Sequence, residues 1–374
     1  INADERNELH IQLIQDWINN NPPGFGTGWE PYPVSLRIVN LVKWALRKNK
    51  LSNNAKQSLA IQLRWLMKRL EIHLLGNHLF SNAKALVFGG LFFDGKEADR
   101  WLNKGLQILQ KEIKEQILPD GGHFELSTMY HAIVFEDVLD LINITKTFSS
   151  KLSSDQKLSI SSFYGLAKSM HSWLKHMCHP DGEISFFNDS AFGISPSYVE
   201  LDIYFKRLEI ETSQASNRKL NLLKESGYIR ITVGHAAVLI DVAKIGPDYL
   251  TGHAHADTLS FELSFNKQRV LVNSGTSCYG LSNERLRQRG TSSHNTVTIN
   301  GEDSSEVWSG FRVARRAYPK NLQIKDSYLK NQIEVHCSQE GYYRLKGKPI
   351  HQRSWSMNES ELLIKDKVLG SYET

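Results

Sequence analysis

An α+β multidomain fold, an all-helical N-terminal part followed by an antiparallel β-sandwich, is what this sequence predicts. Three observations carry it: apolar residues repeat every three to four positions up to about residue 215, the period changes to two from about Gly227, and a polar connector, Glu209 to Arg218 (EIETSQASNR), separates the patterns. A helix buries one stripe and a half-buried strand buries alternate residues, so the period reports the element type. Helices first and strands afterwards is the order of two packed domains, not of an alternating α/β sheet. The boundaries read as residues 1–215 for the helical domain, 216–226 for the linker and 227–374 for the sandwich. The last alternating segment stops within a few residues of the end, so the sandwich is expected to continue in a longer protein.

In the helical part, Ala55 to Leu75 (AKQSLAIQLRWLMKRLEIHLL), Trp101 to Ile117, Met129 to Ile144 and Asp155 to Met177 are predicted as amphipathic helices. Two turns share a text, PDGGHFE at Pro119 to Glu125 and PDGEISF at Pro180 to Phe186, 61 residues apart. Such a period is what a repeated helical hairpin leaves, the same loop returning to the same end of a barrel, although PDG is also a common turn tripeptide. In the second part, Tyr228 to Val233, Ala236 to Val242, Thr258 to Phe265 (TLSFELSF) and Arg269 to Val272 are predicted as strands, with a turn at Asn266-Lys267-Gln268. His294 to Ile299, Gln332 to His336 and Glu361 to Lys367 are read the same way.

Composition excludes several classes. The 374 residues are 40% hydrophobic and 23% charged, without an apolar run long enough to span a bilayer or a basic leader ahead of an apolar core. Three scattered cysteines, Cys178, Cys278 and Cys337, make neither a disulfide framework nor a zinc ribbon. The net charge of +5 steers toward an acidic ligand. Lys and Arg are dispersed, with no dense basic run of the kind that marks nucleic-acid binding. Neither a GxSxG elbow nor a phosphate-cradling glycine loop is present.

Polar residues that neither helix nor strand requires concentrate in four segments: GNHLFSN (Gly76 to Asn82), PDGGHFELSTMYH (Pro119 to His131), GHAHAD (Gly252 to Asp257) and RGTSSHNT (Arg289 to Thr296). Each alone is explained by capping and turn formation. Together, Asn, His and Tyr suit one reaction, proton abstraction beside the carboxylate of a uronic acid. The carboxylate must be neutralised by hydrogen-bond donors that strengthen as the enolate develops, and a base and an acid must flank the scissile bond.

GNHLFSNAKAL, DGGHFELSTMYH, GHAHADTLSFEL and RGTSSHNTVTINGEDSSEVW, in that order, resemble the heparinase II/III-like proteins, a family with alginate lyase relatives. The resemblance runs from PYPVSLRIVN (Pro31 to Asn40) onward. It implies an incomplete (α/α) toroid followed by an antiparallel β-sandwich, and a polysaccharide lyase that cleaves an acidic, uronate-containing glycan by β-elimination. By the same resemblance Asn77 and His78 contact the substrate carboxylate, Tyr130 is the catalytic acid and in some members also the base, and His253 is the second catalytic group. It further implies zinc or another divalent cation held by His255, Asn273 and His294. Zinc-binding relatives carry Asp where this chain has Asn273, so a hydrogen-bonded cluster without metal stays open as an alternative. Asn77, Tyr130 and His253 are expected to meet between the domains.

Supporting substrate contacts are expected from Tyr279 in the loop GTSCYG, from Arg287 and Arg289, and from His123 and Glu125 beyond the PDGG turn. Trp29, Tyr32 and Phe187 offer rings for sugar stacking or for helix packing. The expected partner is an acidic polysaccharide, with no nucleic acid and no membrane span, and the resemblance implies a periplasmic or cell-surface location. Two other outcomes fit the same residues: a uronyl C5-epimerase, and a non-catalytic glycan-binding or capsule-assembly protein.

Overall fold

The computed structural model describes residues 2–47, 50–211, 219–327 and 332–371. Most of the expected connector, residues 212–218, lies outside the described residues. The chain divides into two compact units, Ile1–Glu115 with Asp137–Phe163, and Gln116–Glu136 with Tyr164–Thr374.

The first unit is built from α1 (Ala3–Asn20), α2 (Pro31–Leu46), α3 (Asn53–Met67), α4 (Gly76–Phe92) and most of α5 (Lys96–Gln116). It also takes the later part of α6 (Thr128–Thr147) and the start of α7 (Ser154–Met177). Local chemistry starts these helices. Asn2 and Glu5 form a capping box on α1, Pro31 occupies the first turn of α2, and the Ser52 side chain accepts the Ala55 N–H of α3. α4 is buried along almost its whole length and packs on α2 and α3. A Cβ on Gly89 would stand 2.3 Å from Leu63, so that helix contact requires glycine there. Inside this unit the buried Lys84 ammonium lies 2.6 Å from Asp137 and 2.5 Å from Asp140.

The helix expected over Ala55 to Leu75 ends at Met67. Glu71 turns back onto α4 instead: its N–H donates to Asn82 Oδ1 at 2.9 Å and its carboxylate accepts from Asn82 Nδ2 at 2.9 Å. Leu75, at φ 59°, then reverses the chain into α4. The apolar spacing runs on past that end, yet Ile72 and Leu74 are exposed, 61% and 44%, so the spacing there reports no buried helix face and overran the helix end.

In the second unit the two PDG loops are the same structure. Ile117 bridges His123 and Cys178 bridges Ile184, each in antiparallel sense. Gly121 and Gly182 take φ 92° and 91°, and Asp120 and Asp181 each accept the N–H two residues on, at 3.1 and 2.9 Å. The shared text is therefore a structural repeat, each copy closing the end of a long helix.

After α8 (Tyr198–Arg207) come β1 (Leu220–Leu223), β2 (Tyr228–Val233), β3 (Ala236–Asp241), β4 (Phe261–Phe265) and β5 (Gln268–Leu271), an antiparallel sheet in sequence order. β1 lies in the stretch read as linker. α9 (Asn283–Arg289) and the short pair β6 (Val307–Trp308) and β7 (Arg312–Val313) follow. A second antiparallel sheet has the order β11 (Leu362–Leu369), β10 (Ile350–Met357), β9 (Gln332–Gln339), β8 (Pro319–Ser327). Alternate residues of both sheets, among them Ile229, Ile231, Val238, Ile240, Val335, Trp355 and Met357, form one core. That is the packing of a sandwich.

Two strand expectations are corrected. β4 starts at Phe261 rather than Thr258, because Leu259 takes φ 65° and the Ser260 N–H closes a turn onto Asp257 O at 2.8 Å. His294 to Ile299 is not a strand. There the Asn295 and Thr296 side chains donate to Phe261 O and Thr258 O at 2.9 and 3.1 Å, contacts a strand ladder would have replaced.

Candidate active site

The second unit gathers Glu125, Tyr130, His253 and Tyr279. Glu125 follows the first PDG hairpin, Tyr130 sits in the first turn of α6, His253 lies in the loop before β4, and Tyr279 lies in the loop before α9. The Tyr130 and His253 rings stack with centroids 3.9 Å apart and planes 15° from parallel. The Tyr130 hydroxyl is 3.0 Å from that of Tyr279, whose half-exposed ring lies flat on Phe311, 9° from parallel. His253 Nδ1 is hydrogen-bonded to Glu125 Oε2.

The electrostatics follow from that geometry. Burial by itself favours a neutral His253, but the Glu125 charge and hydrogen bond outweigh it and raise the imidazole above its ordinary value. Burial likewise favours a protonated Glu125, and His253 overrides it downward. Both shifts keep the proton between them on the imidazole rather than on the carboxylate. Burial, followed by the neighbouring Tyr279, pushes the Tyr130 phenol far up, and burial pushes Tyr279 up to about 12. Both phenols rest in the protonated, donor form.

The other expected residues fall in several places. Asn77 and His78 belong to the first unit, at the start of α4. Asn77 is nearly buried, and its amide makes no hydrogen bond among the described residues. His78 stacks on Tyr32, centroids 4.5 Å apart, with Nδ1 3.0 Å from Glu71. Trp29, also in the first unit, is buried between Trp17 and Trp65 at 5.8 and 5.9 Å. His123 is fully buried and held neutral, pushed down to about 4 by burial, with Nε2 3.2 Å from Gln116 Oε1. Phe187 is buried against Tyr228. Arg287 is exposed and paired with Glu284 at 2.7 Å. Arg289 is fully buried and donates to the carbonyls of Ala254, Ser309 and Arg312.

His255, Asn273 and His294 come together. His255 Nδ1 is 3.3 Å from His294 Nε2, His294 Nδ1 is 3.2 Å from Asn273 Oδ1, and His255 Nε2 is 2.8 Å from Asp189. The Asn273 oxygen also accepts the Asn295 N–H at 3.3 Å. Zinc sites take three or four protein ligands, usually anionic or imidazole. Here only two imidazole nitrogens face a common point, while the neutral amide is bonded to the far nitrogen of one of them. Among the described residues no three His, Cys, Asp or Glu side chains form a ligand group. This donor set does not fit a zinc centre.

Asp189 and Arg285 were not singled out from the sequence, yet both are fully buried beside the site. Their signal was slight: Asp189 is a polar residue in the aromatic text FFNDSAF, and Arg285 reads as one more surface cation of α9.

Comparison with known proteins gives a consistent outcome. The family profile of the heparinase II/III N-terminus matches residues 2–201, and that of the heparinase II/III-like C-terminal part matches residues 215–374. A heparin-sulfate lyase of Bacteroides stercoris is 26% identical over 334 residues, 81% of this chain and 49% of that protein. A heparin-sulfate lyase of Bacteroides thetaiotaomicron is 26% identical over 420 residues, 97% of this chain and 55% of that protein. The chain spans about half the length of these relatives. The crystal structure of a heparinase III aligns with TM-score 0.77 at 22% identity, covering 97% of this chain and 59% of that one. The fold class is therefore a helical toroid followed by an antiparallel β-sandwich.

Proposed function

The chain belongs to the heparinase II/III family, and from that membership we propose that it is a polysaccharide lyase cleaving a uronate-containing glycosaminoglycan of the heparan type by β-elimination. The observation that carries the reading is the stacked Tyr130 and His253 pair with Glu125 bonded behind the imidazole. Relatives bearing the name heparin-sulfate lyase support the substrate class.

In this reading hydrogen-bond donors neutralise the uronate carboxylate, the role that the family resemblance gives to Asn77 and His78, and so lower the cost of charge that develops as the C5 proton leaves. Glu125 accepts from His253 Nδ1–H, which leaves Nε2 as the nitrogen that takes the C5 proton in the neutral form. The C5–H electrons form the C4–C5 double bond, the C4–O bond breaks, and the Tyr130 hydroxyl protonates the departing oxygen. Tyr279, hydrogen-bonded to Tyr130 and half-exposed, relays a replacement proton from solvent, and His253 gives up the C5 proton to solvent, which closes the cycle. Because Glu125 raises His253, the neutral base grows as pH rises, while the phenols remain protonated. Turnover therefore increases from neutral toward alkaline pH. No step passes through a metal. The polymer would be met in the periplasm or at the cell surface.

The test is incubation with heparan sulfate, heparin, chondroitin sulfate, hyaluronan and alginate, read by absorbance of new unsaturated uronate ends. Heparan sulfate is expected to give them. Solvent deuterium entering the polymer without new ends would replace the lyase with an epimerase, and binding without either signal would leave a glycan-binding protein.

A further inference from the structure

One buried residue touches the supports of all three rings. The Asp189 N–H donates to His253 O at 3.0 Å. Its carbonyl accepts the Ser127 hydroxyl at 2.5 Å, and Ser127 Oγ in turn accepts the Tyr130 N–H at 3.1 Å. Its carboxylate takes His255 Nε2 at 2.8 Å and both terminal nitrogens of Arg285, Nη2 at 2.6 Å. Arg285 continues outward, with Nε on Gly310 O at 3.0 Å, Nη1 on Thr276 Oγ1 at 3.0 Å and Nη2 on Gly252 O at 3.3 Å. Its guanidinium stands 5.2 Å from the centre of the Tyr279 ring and 5.6 Å from that of Phe311.

Asp189 and Arg285 are both at 0% exposure. Stability alone explains such a pair poorly, because well-packed apolar residues of similar volume often serve as well or better. A bidentate guanidinium and carboxylate do supply fixed direction. Here the direction is shared among the loop of His253, the first turn of Tyr130 and the ring face of Tyr279.

We propose that Asp189 and Arg285 are positioning residues that set the mutual placement of Tyr130, His253 and Tyr279 without touching substrate. The inference rests on the lyase reading above for its effect on rate, and on geometry alone for its effect on order. A misplacement of about 1 Å at reacting groups is enough to lower a rate on the order of 100-fold.

The experiment compares the whole chain with its Asp189→Asn and Arg285→Lys variants. Asp189→Asn keeps the shape and removes the charge. Arg285→Lys keeps the charge and removes the fork, and it stands in if the first variant does not fold. Turnover per folded molecule is expected to fall roughly 10- to 100-fold with KM within about twofold, since substrate contacts are untouched. Unchanged turnover per folded molecule, with only a lower melting temperature, would overturn the proposal. If the unaltered chain cleaves none of the glycans, the lyase reading fails and hydrogen exchange decides this one. Faster exchange at the Tyr130 and Asp189 amides, with the Val335 amide unchanged, upholds positioning, and unchanged exchange at all three overturns it.

Discussion

Glu125 and His253 are 128 positions apart in the chain, and Tyr130 and Tyr279 are 149 apart, yet the four side chains form one hydrogen-bonded and stacked group. Tyr130→Phe removes only the hydroxyl, so ring stacking and most glycan contact persist. Glycan binding should change little while turnover drops about 100- to 10,000-fold, read as kcat and KM on the glycan that is cleaved. Near-normal turnover would remove Tyr130 from the chemistry. Asn273 makes a second test at this scale. Protein purified without chelator is expected to hold far less than one zinc per chain, and Asn273→Asp alone to leave it so, because a carboxylate there would meet the far nitrogen of His294 and not the point that the two imidazoles face. Stoichiometric zinc in the unaltered chain, measured by elemental analysis, would contradict the reading of the donor set. Tyr130 and His253 were legible only through the ordered motifs that carry the family resemblance, and Glu125 only as a supporting contact beyond the PDGG turn. Asp189 and Arg285 escaped because a charged residue looks the same in one dimension whether buried or solvated.

Among elements, the twin PDG hairpins are the part of the fold most fully written in the text. Their turns are alike, but their surroundings are not. A Cβ on Gly121 would stand 2.4 Å from the Ser169 main chain, whereas nothing lies within 4 Å of one on Gly182. Gly182→Ala should cost about 1 to 2 kcal/mol for its positive φ alone. Gly121→Ala should add a further ~1 to 3 kcal/mol of overpacking against backbone that has little room to move. Urea unfolding of the two variants measures the difference, and equal losses would show that the hairpins are not distinguished by packing. The overrun of α3 has the opposite lesson. Its end is set by Glu71 bonding to Asn82, a partner in the next helix that no local pattern announces.

For the molecule as a whole, buried neutral histidines tie stability to pH. Burial pushes His123 down to about 4 and His131 to about 3, both within the second unit. Their unfolded values lie near 6.5, so on acidification the unfolded chain binds protons before the folded one does. The stabilisation is complete above about pH 6.5 and is lost as pH falls toward the folded values. Each group removes up to ~1.4 kcal/mol per pH unit across that window. A fall in melting temperature of roughly 5 to 10 °C is expected between pH 6.5 and 4.5, with His123→Gln flattening the slope. A slope unaltered by that substitution would assign the effect to other groups.

Element type, the order of helical and sandwich parts, the hairpin repeat and the polar segments around Asn77, Tyr130 and His253 were determined by the sequence alone. Each of these is local: periodicity reports one buried face, and turn residues report backbone conformations that neighbours do not supply. Tertiary structure decided where α3 stops, that His294 to Ile299 is no strand, that His123 and Arg289 are buried, and that Asp189 and Arg285 stand beneath the site. These outcomes depend on partners distant in the chain. Burial, which sets the worth of a charge and the protonation of a histidine or phenol, belongs to the folded neighbourhood rather than to the residue.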